Sequence, residues 1–187
     1  MSVVADKMLI SPEEFLRLPD QKGFELIDGE LLECHVSSLS SWIGGEVFGV
    51  IREFCRTRNL GFVFPPETGF RCFPDRPKTV RKPDVSFVKA ARLTFDQLAD
   101  GWLEIAPDLV VEIISPNDLA YEVDEKIEMF LKVGVPLIWI VNPELRTVRI
   151  VRADRSSLIL LEGDVLSGED ILPEFLYPVA RIFSPGS

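Results

Sequence analysis

One stretch constrains this chain more than any other: the run from Asp108 to Ser115, D-L-V-V-E-I-I-S, in which a glutamate stands inside otherwise apolar sequence. Such a run suits a strand buried on both faces of a sheet. A carboxylate buried there without a partner is expensive, so Glu112 requires a cation, a hydrogen-bond network or a water-filled cleft. Either it is a structural acid paired with an arginine, or it belongs to a functional site. After the run, Asn117 to Val133 reads as a helix with Val123, Ile127, Phe130 and Leu131 on one side, ended by Gly134. Leu137 to Val141 is a second apolar strand. Strand, helix and strand from Leu109 to Val141 predict a right-handed parallel crossover.

The rest of the chain supplies further strands and helices. Ser11-Pro12-Glu13-Glu14 is a helix start, with a serine cap, proline at the first position and acids at the positive end. Phe24 to Glu33 reads as a hairpin around Asp28-Gly29, a pair suited to a primed two-residue turn, which sets Ile27 opposite Glu30. Ser37 to Arg58 has apolar residues at helical spacing, among them Leu39, Ile43, Val47, Ile51 and Phe54. Strands are expected over Phe62–Pro65, Thr68–Phe73 and Pro83–Lys89, with a loop over Pro74–Lys82, and Leu93 to Leu103 holds a short helix or turn. Thr147–Arg152 and Leu158–Leu161 read as edge strands, and the tail holding Pro173 and Pro178 packs or wanders. The result is an α/β (α+β) domain on a central mixed sheet flanked by helices, with an N-terminal hairpin. A chain of 187 residues fits one domain, core about 11–183.

With 47% hydrophobic residues the chain can bury a sizeable core without a metal or disulfide staple. Cys34, Cys55 and Cys72 are far apart and odd in number, with no C-x-x-C pair, which argues against a disulfide framework or zinc site. The single histidine, His35, reads as structural, and no G-x-S-x-G surrounds a serine for it to serve. No stretch reaches the length of a membrane span. The N-terminus, with Asp6 and Lys7, lacks an apolar signal core. The expectation is a cytoplasmic protein.

Net charge is −10, which counts against nonspecific coating of nucleic acid. The charge is uneven. Between Arg71 and Arg92 seven cations face only Asp75 and Asp84, so that segment is +5 and the remainder −15. It reads either as a solvated loop or as a phosphate-facing rim around Asp84, with Arg71, Arg81 and Lys82 as the candidate phosphate contacts. Asp84 follows Pro83 at the start of a strand. If that strand neighbours the one holding Glu112, the two carboxylates can share Mg²⁺, which takes oxygen ligands and keeps several waters.

Pro83-Asp84 followed by Glu112 matches the Pro-Asp … (Asp/Glu)-x-Lys pattern of PD-(D/E)XK nucleases. Longer strings are more specific: F-E-L-I-D-G-E-L-L-E, T-G-F-R, R-K-P-D-V-S-F-V, A-P-D-L-V-V-E-I-I-S-P-N-D and E-K-I-E-M-F-L-K-V-G-V-P-L-I-W-I-V-N-P. Together they resemble the Uma-two (Uma2) family of restriction-endonuclease-like proteins, from about Phe15 to Phe183. The resemblance implies a restriction-endonuclease-like fold and a divalent metal, Mg²⁺ or Mn²⁺, held by Asp84, Glu112 and the backbone carbonyl of Ile113. It also implies DNA as substrate, cut by a metal-activated water, and by analogy with the superfamily a homodimer, for which an apolar edge such as Leu158–Leu161 would serve. The superfamily's lysine should stand at Ile114 and does not. Uma-two proteins resemble this chain in that respect, and their substitute is a lysine in the next helix, here Lys126. From Glu112 the chain runs on about 13 Å at roughly 3.3 Å per residue, and the helix returns about 12 Å at 1.5 Å per residue. Lys126 can therefore come back level with Glu112, whereas Lys132 lies nearly two turns further on. Glu30 matches the family's D-G-E string and is a possible additional ligand, or a solvent-facing hairpin acid. Phe130 and Leu137 depart from the family, which often has a tyrosine and an acid there. The missing lysine at Ile114 and the net charge motivate an alternative, a binding module without turnover on the same fold.

Overall fold

The computed structural model describes residues 9–34, 36–98 and 101–184. His35 and the N-terminal residues Asp6 and Lys7 lie outside the described residues.

The chain begins with helix α1 (Pro12–Leu16), closed by a reciprocal capping box between Ser11 and Glu14. Strands β1 (Phe24–Ile27) and β2 (Glu30–Glu33) form the expected hairpin, with Ile27 opposite Glu30. Both turn residues have positive φ, 51° at Asp28 and 92° at Gly29, as the primed turn demands. Helix α2 (Ser38–Arg58) is capped by Ser37 and ends on Asn59 in the left-handed conformation.

A six-stranded mixed sheet follows: β3 (Gly61–Phe64), β4 (Val85–Lys89), β5 (Leu109–Ile113), β6 (Leu137–Asn142), β7 (Thr147–Arg152) and β8 (Ser157–Leu160), in that spatial order. All neighbours are antiparallel except β5 and β6, which are parallel and joined across helix α3 (Ala120–Lys132). A 3₁₀ turn spans Phe95–Leu98. The tail packs: β9 (Val165–Ser167) pairs with β10 (Leu176–Pro178), and a short helix α4 (Val179–Ile182) follows.

The two faces of the sheet divide by alternation. Leu109, Val111 and Ile113 of β5, with Leu137, Trp139 and Val141 of β6, meet Ile43, Val47 and Ile51 of α2 and the C-terminal Phe175, Val179 and Ile182. The intervening Val110, Ile138 and Ile140 meet Ile127, Met129 and Phe130 of α3. Glu112 shares the parity of Val110 and therefore faces α3.

Three expectations need correction. Thr147–Arg152 is not an edge strand: β7 pairs with β6 on one side and β8 on the other, and of the two only Ser157–Leu160 lies at the edge. Thr68–Phe73 is not a strand: only Phe70 makes bridges, to Arg81 and Leu103. At Gly69 a Cβ would meet the Trp102 ring at 2.3 Å, so that ring packs directly on the backbone. Helix α3 starts three residues later than expected. The Ser115 amide donates to the Asp118 carboxylate (2.7 Å) while the Asp118 amide donates to the Ser115 carbonyl (3.0 Å), a turn that holds 115–118 out of the helix.

Candidate active site

Strand register brings the two sequence-predicted carboxylates together. Val85 pairs with Val111, so one step further places Asp84 opposite Glu112 on the face that looks toward α3. The Ile113 amide donates to Asp84 Oδ2 at 2.7 Å, which ties the end of β4 to β5. Helix α3 packs on that face through Ile127 and Phe130, and this puts Lys126 above Glu112. Its ammonium donates to Glu112 Oε2 at 2.9 Å and to the Lys82 carbonyl at 3.3 Å.

A third acid, Glu25 of β1, completes the cluster. Its Oε1 is 2.9 Å from the Lys126 Nζ and accepts from the Lys82 amide at 2.5 Å. Its Oε2 accepts from Arg81 Nη1 at 2.9 Å. The Glu25 side chain is 2% exposed, against 12% for Glu112 and 14% for Lys126. Sequence reasoning missed Glu25. Its signal resembled that of Glu112, an acid between apolar residues, but in a four-residue strand next to a turn, where solvent-facing acids are ordinary.

These groups line a cavity of about 320 Å³, whose wall also includes Leu32, Cys34, Val36, Ser40, Ser115, Asp118, Leu119 and Val123. On this wall Ser40 Oγ and Ser115 Oγ lie 2.9 Å apart. Burial pushes the Glu112 carboxyl up to about 8. The Lys126 charge works against that, and Asp84 and Glu25 add to it. Asp84 is also raised, chiefly by burial, with Lys126 and the Ile113 amide opposing. Burial works the same way on Glu25, but Lys126 and Arg81 outweigh it and hold that carboxyl below its ordinary range. For Lys126, burial disfavours the charge, while Glu112 and Glu25 more than restore it and keep the ammonium protonated. The three cysteine thiols are pushed up to about 12 by burial, so none offers a thiolate nucleophile near neutrality.

The other candidates lie differently. Glu30 sits on the hairpin opposite Ile27 and is not part of the cavity wall. Lys132 pairs with Asp75 at the surface. In the basic segment, acids engage Arg71, Arg76, Arg81, Lys82 and Arg92. Arg71 stands outside the cavity wall, 2.6 Å from Glu13. Arg81 and Lys82 line the cavity, but Arg81 is buried on Glu25, and Lys82 Nζ is held by Glu67 at 2.6 Å and the Gln21 carbonyl at 2.9 Å. Arg76 binds Asp28 and Glu125.

Among the described residues no three His, Cys, Asp or Glu side chains are grouped so as to hold a metal ion by themselves. The donor set nevertheless fits a hard cation of the magnesium type, which needs only one or two carboxylates from the protein. The structural sign is Glu112 Oε1, a buried carboxylate oxygen without a hydrogen-bond partner, beside the half-buried carboxylate of Asp84.

A mixed sheet with helices on both faces, holding two carboxylates and a lysine in a cavity beside one of them, makes this an α/β domain with a candidate site on one face of its sheet. Its likeness to a solved structure agrees. The crystal structure of a "putative nuclease belonging to DUF820" from Anabaena variabilis ATCC 29413 superposes with a TM-score of 0.78 at 23% identity, covering 93% of this chain and 97% of that one. At that identity the likeness speaks for the fold. The sequence profile of the Uma2 family, described as "Putative restriction endonuclease", matches residues 12–180, and the chain belongs to that family. No curated protein matches.

Proposed function

We propose that this protein is a metal-dependent endonuclease that hydrolyses phosphodiester bonds of DNA in the cavity between β5 and α3. The observation that carries the reading is the approach of Lys126 to Glu112 at 2.9 Å, beside Asp84, with the second Glu112 oxygen buried and unpartnered. Asp84, Glu112 and the Ile113 carbonyl would hold Mg²⁺ or Mn²⁺. When bound, such an ion supplies Lewis acidity toward a phosphoryl oxygen and makes water a better nucleophile at neutral pH. Lys126 contributes a fixed positive charge in a part-buried site, where it stabilises the charge that grows on the phosphate in the transition state. Glu25 and Glu112 keep that ammonium charged. The superfamily relation also motivates a homodimer. Here β8 is an outer strand of the sheet, with Leu158 and Ile159 exposed on it and Leu161 exposed just beyond it.

A plasmid-nicking assay in Mg²⁺ or Mn²⁺ tests the assignment. Wild type should nick, and EDTA, Asp84→Asn and Glu112→Gln should each abolish nicking while the thermal transition survives. Full activity in both variants would sink the site. One observation favours a second reading, a binding module without turnover: the cations around the cavity are already engaged by acids, so a phosphate must compete with them. Wild type that retains oligonucleotides but never cleaves them, with any metal, would select that reading.

A further inference from the structure

The chemistry above uses Glu25 only to keep the Lys126 ammonium charged. A structural explanation accounts for half of the Glu25 contacts: a buried arginine needs a carboxylate, and Arg81 has Glu25 Oε2 at 2.9 Å. The other oxygen is left over by that explanation. Oε1 reaches past Arg81 to the Lys126 ammonium at 2.9 Å and takes the Lys82 amide at 2.5 Å. The N-terminal hairpin, outside the central sheet, is thereby tied to α3 and to the backbone two residues before Asp84.

Lys126 thus has two carboxylate partners, Glu25 and Glu112. They are not equivalent, because Glu112 is a proposed ligand of the cation and Glu25 is not. If Glu112 turns its charge toward a cation, its hold on Lys126 weakens. An ammonium left with only the neutral Lys82 carbonyl at 3.3 Å would then be repelled by the cation and pushed from the cavity. Glu25 lies on the hairpin side, anchored by Arg81 and the Lys82 amide, and cannot follow.

We propose that Glu25 is a positioning residue: it keeps the Lys126 ammonium in the cavity, facing the substrate phosphate, when Glu112 is engaged elsewhere. The N-terminal hairpin is then a working part of the active site as well as a cover for it. The proposal rests on the nuclease reading for its kinetic consequence, whereas the positioning itself can be observed without turnover.

The test pairs two readouts on full-length protein. The first is the side-chain ammonium ¹H–¹⁵N signal of Lys126, assigned by its absence in Lys126→Met and recorded with and without Mg²⁺. Glu25→Gln should abolish or move this signal, most clearly with Mg²⁺ present. Glu25→Gln leaves Arg81 buried without a counter-charge and can fail to fold. Glu25→Gln/Arg81→Met, which strands no charge, is the companion variant and should show the same loss. The second readout is kinetic. Glu25→Gln should lower kcat by roughly 10- to 100-fold with KM changed by less than about twofold, as for a transition-state interaction. In a Lys126→Met background it should cost nothing further, because residues that act as a unit are not additive. A Lys126 signal unchanged in the Glu25 variants would overturn the proposal, as would a kcat loss that persists undiminished in the Lys126→Met background. A signal that responds as expected in a protein without turnover would leave the positioning intact and refute the nuclease reading instead.

Discussion

Lys126 lies 2.9 Å from both Glu25 and Glu112, so removing it leaves two buried carboxylates around a vacated charge. Breaking a buried ion pair from one side costs about 3–5 kcal/mol. Lys126→Met should therefore shift the urea midpoint by an amount of that order and lower nicking to a slow residual rate. Lys132→Met, six residues further along the same helix on an exposed pair with Asp75, should leave the midpoint where it is. Equal shifts in the two variants would contradict the account of the cluster. Glu25 also sets an acid limit. Its carboxyl is held below the ordinary range in the folded chain, so the folded state binds fewer protons than the unfolded state as pH falls past the ordinary value. The stability Glu25 contributes is complete above that value and is lost as pH falls through its lowered folded pKa. Thermal unfolding from pH 6 downward should show a steeper loss of Tm in wild type than in Glu25→Gln. Parallel curves would mean that Glu25 does not carry the linkage.

The hairpin that delivers Glu25 depends on its turn. Gly29 has φ +92°, and a Cβ there would meet the Ile10 carbonyl at 3.1 Å and the Leu9 Cβ at 3.2 Å. Gly29→Ala should cost about 1–2 kcal/mol, read by denaturant unfolding, and an unchanged midpoint would mean that the turn can relax. This element was legible from sequence because Asp-Gly between apolar alternations specifies both register and turn type. The buried strands β5 and β6 were legible for a related reason, since continuous apolar runs around a helix leave few alternatives. Thr68–Phe73 misled because its alternation of large and polar residues mimics a strand, while packing of Trp102 on Gly69 fixes only Phe70 in a bridge. The start of α3 was misplaced because the local side-chain bond of Asp118 competes with the first helical turn. The β9–β10 pair brings residues 165–167 against 176–178, a pairing that no local pattern announced.

At the scale of the whole molecule, the site is assembled from three places far apart in sequence: the hairpin, the 81–84 segment and the β5–α3 unit. An acid in an apolar strand and a proline-aspartate strand start were readable as neighbours in chemistry. Glu25 was not, because its burial is a product of tertiary packing, and neither was the engagement of Arg71, Arg81 and Lys82 by acids from other segments. That neutralisation, with a net charge of −10, predicts weak salt dependence of DNA binding, since few phosphates can be neutralised at once. A log–log slope of binding against salt as steep as that of a protein contacting many phosphates would contradict it. The exposed Leu158 and Ile159 on the outer strand, with Leu161 just beyond it, predict, by light scattering, a species of twice the 21.1 kDa chain mass, reduced to one chain by Ile159→Lys. A wild type that scatters as a single chain would rule out the dimer. The central claim concerns the cation at Asp84 and Glu112. Its most direct test is calorimetric titration of Mn²⁺ into wild type and Glu112→Gln, with nicking measured on the same samples. The account predicts one saturable site in wild type, with nicking, and neither in the variant. Wild type without a saturable site, or with one that persists in Glu112→Gln, would contradict it and leave Glu112 as a buried structural acid.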